Sequence, residues 1–243
     1  MKKRILIFLF IVLTTLGFIL YYSPIRTYLP GVRKSNLTFS NYKREIDTIS
    51  QQRKKLLVEW NAADAGKKKL LISKAGAAFS AGLNSRLFQY WYETDWDYNG
   101  TTEEPGKGSI ACGYFVTTLL RDMGTSLNRS GLACSASEEM IKKLVSEKNI
   151  HRFSNFSIDR FVDEIKKLGN GIYLTGLDNH TGFIVCTDGK VEFIDSGGGA
   201  PARVLRKDAH DSGLLSRSKY RVVGKITDDE FFLVKWLNGS KFI

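Results

Sequence analysis

Apolar residues recur at helical spacing through the first half of the chain and alternate at strand spacing through much of the second. In residues 41–60, Ile46, Ile49, Leu56, Leu57 and Trp60 form an approximate stripe. In 67–92, Leu70, Leu71, Ala75, Ala78, Phe79 and Leu83 form another. The pattern predicts a helical hairpin over 41–92 that turns at Gly66 and Lys67-Lys68-Lys69, the lysines being a solvated face. Further helices are expected at 111–123, 136–147 and 157–168, the last opened by Ser157 as N-cap. From residue 171 strands follow. Helices first and an antiparallel sheet later indicate an α+β domain.

The strand pattern is explicit enough to count. Asp188-Gly189 separates two β-rich runs and is a preferred dipeptide for a two-residue type I′ turn. Thr187 then faces Lys190, Cys186 faces Val191, Ile184 faces Phe193 and Gly182 faces Asp195. Alternation puts His180, Gly182, Ile184 and Cys186 on one sheet face with Val191, Phe193 and Asp195. His180 and Asp195 become diagonal neighbours, while Glu192 points to the other face. A carboxylate beside one imidazole nitrogen fixes the tautomer and leaves the second nitrogen to exchange a proton.

The matching nucleophile lies 68 residues before His180. In Gly108-Ser109-Ile110-Ala111-Cys112-Gly113-Tyr114-Phe115, a glycine-punctuated loop gives way to an apolar helix, with Cys112 at the junction. Unpaired backbone N–H groups and the helix dipole favour the thiolate there. The candidate catalytic residues are therefore Cys112, His180 and Asp195. The backbone N–H of Cys112 is the expected oxyanion donor. Trp91, Tyr92, Trp96 and Tyr98 precede the nucleophile loop, and either pack beneath the helix or line a groove. Trp96 and Tyr98, with Gly113, are the candidate substrate contacts, Tyr98 also being placed to polarise a carbonyl.

These segments resemble the papain-like cysteine peptidases and amidases, most of all the NlpC-type cell-wall endopeptidases. The resemblance runs over roughly residues 90–200, through Tyr98-Asn99-Gly100-Thr101-Thr102, Ala111-Cys112-Gly113-Tyr114-Phe115, Gly124-Thr125-Ser126-Leu127-Asn128-Arg129 and His180-Thr181-Gly182-Phe183-Ile184. It implies a papain-like core over 93–243, with Cys112 as nucleophile and His180 as base. Ala111 stands where the family has Asp, Gly113-Tyr114 where it has Ser-Gly, and Asp195 where it has His or another polar group. The order Cys, His, Asp also resembles transglutaminase-like and bacteriocin-processing peptidase folds.

At the N-terminus, Lys2-Lys3-Arg4 precedes Ile5 to Tyr22, 18 residues without a charge. At about 1.5 Å per residue such a run spans a bilayer core. It predicts an N-terminal transmembrane helix, or a signal segment, with the following domain outside the cytoplasm, periplasmic or extracellular, and secreted if the segment is cleaved. Residues 1–22 are thus an expected anchor and 23–40, with Pro24, Pro30 and Gly31, a tether.

The net charge of +11 drops to +8 without Lys2, Lys3 and Arg4. A basic surface attracts polyanions such as cell-wall polymers or anionic lipid headgroups. Scattered basic residues with no nucleic-acid module exclude nucleic acid as the expected partner. Cys112, Cys134 and Cys186 lack zinc-site spacing, so neither metal nor cofactor is expected. Cys186 is expected in the core, although Cys134 and Cys186 are free to pair in an oxidising compartment. His151 and His210 read as surface loop residues, and Gly197-Gly198-Gly199 as a flexible rim. Together these features predict a membrane-anchored cysteine hydrolase acting on an amide of cell-wall peptide. The alternatives are a silent papain-like domain that binds wall polymer, and an acyl transferase of the transglutaminase kind.

Overall fold

The structure, a computed structural model, describes residues 37–242. Its first helices are α1 (Phe39–Ala62) and α2 (Ala65–Ala81). Each starts at a polar cap, the Thr38 hydroxyl accepting from the Asn41 N–H and the Asp64 carboxylate from the Lys67 N–H. The hairpin therefore turns at Ala63-Asp64, and Gly66 with the three lysines lies inside α2 instead of in the turn. The second expected helix is also broken. A π-helical stretch, Gly82–Leu87, separates α2 from the short α3 (Phe88–Trp91).

Three helices follow: α4 (Cys112–Asp122), α5 (Arg129–Ala133) and α6 (Ser137–Leu144). Next come β1 (Ile150–Ser154), α7 (Ile158–Leu168), β2 (Gly171–Leu177), β3 (Thr181–Thr187), β4 (Lys190–Gly197) and β5 (Arg203–Asp208). The short α8 (Gly213–Arg217), β6 (Tyr220–Lys225) and α9 (Glu230–Asn238) complete the fold. The six strands pair antiparallel in the order β1-β6-β2-β3-β4-β5. Ser157 caps α7, accepting from the Arg160 N–H.

Both sheet faces are covered. Phe183, Val185 and Ile194 face α4 and the N-terminal helices, in a core with Phe79, Trp91, Phe115 and Trp236. Ile184, Cys186, Val191 and Phe193 face α7, against Phe161, Val162 and Ile165. This alternation is the two-residue period of the strands read out as two separate cores. The α+β class has this six-stranded antiparallel sheet as its frame, but the expected transmembrane helix is not part of the observed fold. Among the described residues no helix is long and apolar enough to cross a membrane. Residues 5–22, and the tether up to residue 36, lie outside the described residues.

His151 needs a second correction. It lies on β1 opposite Val223, half-buried, and not in a loop. His210 sits exposed in a single 3-10 turn, Ala209–Asp211, beside Asp208 and Asp159.

Candidate active site

The position of Cys112, the candidate nucleophile, begins with a missing cap. Ala111 occupies the N-cap of α4 and its side chain accepts no hydrogen bond, so the first-turn N–H groups are left for other acceptors. Cys112 is the first helical residue. The backbone N–H groups of Gly113 and Thr181 both stabilise its thiolate. Burial pushes the thiol pKa up, but the His180 ring, by hydrogen bonding and by charge, together with these N–H groups brings it below the ordinary thiol value.

The loop entering the helix is held from two sides. The Ala111 N–H donates to the Gly100 carbonyl at 2.8 Å, and a Cβ on Gly100 would lie 2.6 Å from the Ile110 nitrogen. Arg129 donates to the carbonyls of Thr101 and Thr102 and to the Thr118 hydroxyl, and its guanidinium stacks over Tyr114 at 4.7 Å. From the sheet, the buried Ser196 hydroxyl donates to the Ile110 carbonyl at 2.6 Å. Ser196 adjoins Asp195, so this bond ties the strand of Asp195 to the loop that leads into Cys112.

His180 ends the turn between β2 and β3. Asp178 anchors that turn by accepting the backbone N–H groups of Lys219 and Tyr220, and the His180 carbonyl accepts from Leu177 at 2.8 Å. Across the hairpin, His180 Nε2 lies 2.8 Å from Asp195 Oδ2, with only 11% and 8% of the two side chains exposed. The observed pairs Thr187↔Lys190, Cys186↔Val191 and Ile184↔Phe193 are those counted from Asp188-Gly189, whose φ angles of 50° and 79° fit a type I′ turn. Burial alone would lower the His180 pKa. Hydrogen bonding and charge from Asp195 and Cys112 overcome it and raise the pKa to about 9. With Nε2 engaged by Asp195, Nδ1 is the nitrogen left to serve the thiol. Glu192 lies on the other face, paired with Arg206 and Lys190.

Cys112, Gly113 and His180 wall an open cleft of about 440 Å³, whose other side is built by Ala133, Ser135, Ala136, Ser137 and Glu138 of the α5–α6 region and by Leu177, Asp178, Asn179, Thr181 and Tyr220. A Cβ on Gly113 would come within 2.2 Å of the Ala133 carbonyl, so this glycine lets α4 and α5 close the cleft floor. Trp96 and Tyr98 do not line the cleft. Trp96 is half-buried behind the glycine rim, its ring against Gly198, and Tyr98 is 81% exposed. Trp91, by contrast, is fully buried edge-on to Phe115 of α4, which makes it packing beneath the helix.

The cleft residues that sequence reasoning missed come from the end of α5 through the start of α6, from the β2–β3 turn and its flanks, and from Tyr220 of β6. Glu138 accepts from Arg152 and from the Tyr220 hydroxyl. Nothing local in the sequence marks them. Cys134 is exposed and Cys186 buried, and all three cysteines are free. Among the described residues, no group of three or more His, Cys, Asp or Glu side chains could hold a metal ion. No family model matches the chain, and no curated protein or solved structure matches it.

Proposed function

We propose that the protein is a cysteine hydrolase that cleaves an amide bond through a thioester intermediate. The observation that carries this reading is the His180–Asp195 pair, closed at 2.8 Å, beside a thiol of lowered pKa at an uncapped helix start. The Cys112 thiolate attacks the carbonyl carbon. The oxyanion forms beside the Cys112 N–H, which has no partner inside the helix. The His180 imidazolium gives its Nδ1 proton to the leaving nitrogen, the C–N bond breaks, and the amine departs. Neutral His180 then takes a proton from water, hydroxide adds to the thioester, and the acid product leaves as the thiolate is restored. Asp195 holds the ring in the required orientation throughout.

The proposed substrate is cell-wall peptide, met outside the cytoplasm, on the resemblance of the Cys112 and His180 segments to NlpC-type endopeptidases. A cleft of about 440 Å³ falls within the ~300–1,000 Å³ range of small-ligand sites and suits a short peptide. Incubation of the full chain with purified peptidoglycan, followed by mass spectrometry of the fragments, tests the reading. New amino groups that depend on Cys112 are expected. Fragments retained intact by both the wild-type protein and Cys112→Ala would overturn catalysis in favour of binding. Incorporation of an added amine in place of water would assign acyl transfer.

A further inference from the structure

We propose that Gly197 is a positioning residue of the site: the missing side chain at this position is what lets the Asp195 carboxylate lean along β4 and reach His180. The inference rests on the Cys112–His180–Asp195 reading. Residues 195 and 197 share one face of β4, so a side chain at 197 would compete for the space that the carboxylate occupies. A Cβ built there would lie 2.6 Å from Asp195 Oδ2, 3.0 Å from Leu214 Cδ1 and 3.7 Å from His180 Cε1. Oδ2 is the oxygen that bonds His180 Nε2. The nearest atom is thus the end of a short side chain, and when it yields, the bond to the imidazole is what breaks.

The next two glycines are built differently. A Cβ on Gly198 would strike the Trp96 ring at 2.7 Å, away from the pair, and one on Gly199 would meet nothing within 4 Å. Gly197 is buried and paired with Arg203 in the sheet, whereas Gly198 and Gly199 are exposed. The expected flexible rim therefore begins only after a strand residue whose job is steric. The groups that set the charge of His180 are Asp195 of β4 and Cys112 of α4, while Phe193 and Leu214 present apolar surface.

The test needs no substrate. In the full-length protein, the rate of Cys112 alkylation by iodoacetamide is followed across pH by mass spectrometry of the Cys112 peptide, and the His180 Cε1–H resonance is titrated by NMR. Gly197→Ala is expected to lower the pH at which His180 titrates and to cut Cys112 alkylation at pH 6.5 roughly tenfold, the loss that follows when a thiol pKa rises by about one. Gly198→Ala and Gly199→Ala are expected to stay within about twofold of wild type, since a moved rim alone leaves the pair intact.

Where Gly197→Ala alone does not fold, the same change in a Leu214→Ala background removes the 3.0 Å contact and still displaces the nearer carboxylate, with Leu214→Ala as baseline. A wild-type profile in the folded Gly197 variant overturns the inference, as does an equal effect from Gly198→Ala. Ordinary thiol reactivity of Cys112 in the wild-type protein would instead overturn the catalytic reading beneath it.

Discussion

Removing the Asp195 carboxylate has a size that follows from its geometry. His180 is nearly enclosed, with 11% of its side chain exposed, and burial by itself disfavours the imidazolium. Its rise from 6.5 to about 9 corresponds to about 3 kcal/mol in favour of the charged ring. The hydrogen bond to Asp195 is the largest of the favourable contributions. In Asp195→Ala the desolvation remains and that bond is gone, leaving Cys112 to favour the charged ring, so the ring is expected to titrate below its wild-type value of about 9. At pH 7.5 the imidazolium fraction then falls from nearly complete, and the ring is also free to turn. The expected loss in kcat is on the order of 10²-fold, about 2.7 kcal/mol of transition-state stabilisation. Glu192→Ala is the internal control. Its carboxylate lies on the opposite face with Arg206 and Lys190, and removal is expected to lower stability by up to about 1 kcal/mol and leave kcat within twofold. The assay is release of amino groups from peptidoglycan by the two variants, each first shown to unfold cooperatively. Losses that are small and equal would refute the orientation of His180 by Asp195. The reverse order would refute the hairpin register itself.

Three further outcomes follow. Cys112 should alkylate faster than exposed Cys134 near neutral pH despite its poorer accessibility, because its thiol pKa is lowered, and preferential labelling of Cys134 or Cys186 would sink the assignment. The pH–rate profile should be a plateau between two limbs. Activity rises as Cys112 ionises, below the ordinary thiol value, and falls as His180 loses its proton near pH 9, so a single ascending limb that continues past pH 10 would exclude the thiolate–imidazolium pair. Gly113→Ala should force α4 away from α5, since the new Cβ meets the Ala133 carbonyl at 2.2 Å and neither is a flexible side-chain end; a loss of about 2 kcal/mol is expected in denaturant titration, and an unchanged midpoint would contradict the close crossing.

How much of this was legible depended on whether the information was local. The hairpin was, because a type I′ turn demands positive φ at both central residues and Asp-Gly accepts it, with 50° at Asp188 and 79° at Gly189. Once the turn is fixed, the period of two carries His180 and Asp195 to the same side without further information. The nucleophile helix was equally local, since apolar periodicity begins where the glycines stop. The short edge strand β1 was not. Its five residues, Ile150–Ser154, include His151 and Arg152, and it exists because it pairs with β6, about 70 residues later. The cleft was illegible for the same reason, since Ala133, Glu138 and Tyr220 meet only through tertiary packing. Aromatic content did not reveal that Trp96 and Tyr98 lie outside the lining of the cleft. An aromatic residue in a loop is as able to brace a rim as to face a ligand, and only the fold decides.

The site is also where the chain departs from the choices that would maximise its own stability. An acceptor at the N-cap of α4 would stabilise the helix by about 1 kcal/mol, yet Ala111 leaves the first-turn N–H groups unclaimed. α1, α2 and α7 all carry side-chain caps, whereas α6, which borders the same cleft, also starts uncapped at Ala136. The buried His180–Asp195 pair has the same character, because two groups are desolvated to hold one ring in one orientation. Gly197 gives up side-chain packing in a buried strand position so that the carboxylate can reach the ring. Each choice weakens the fold locally and, on the proposed function, favours the same charge-separated state. On the proposed reading, they coincide at Cys112, His180 and Asp195 because a thiolate held by an imidazolium is the state that the chemistry requires.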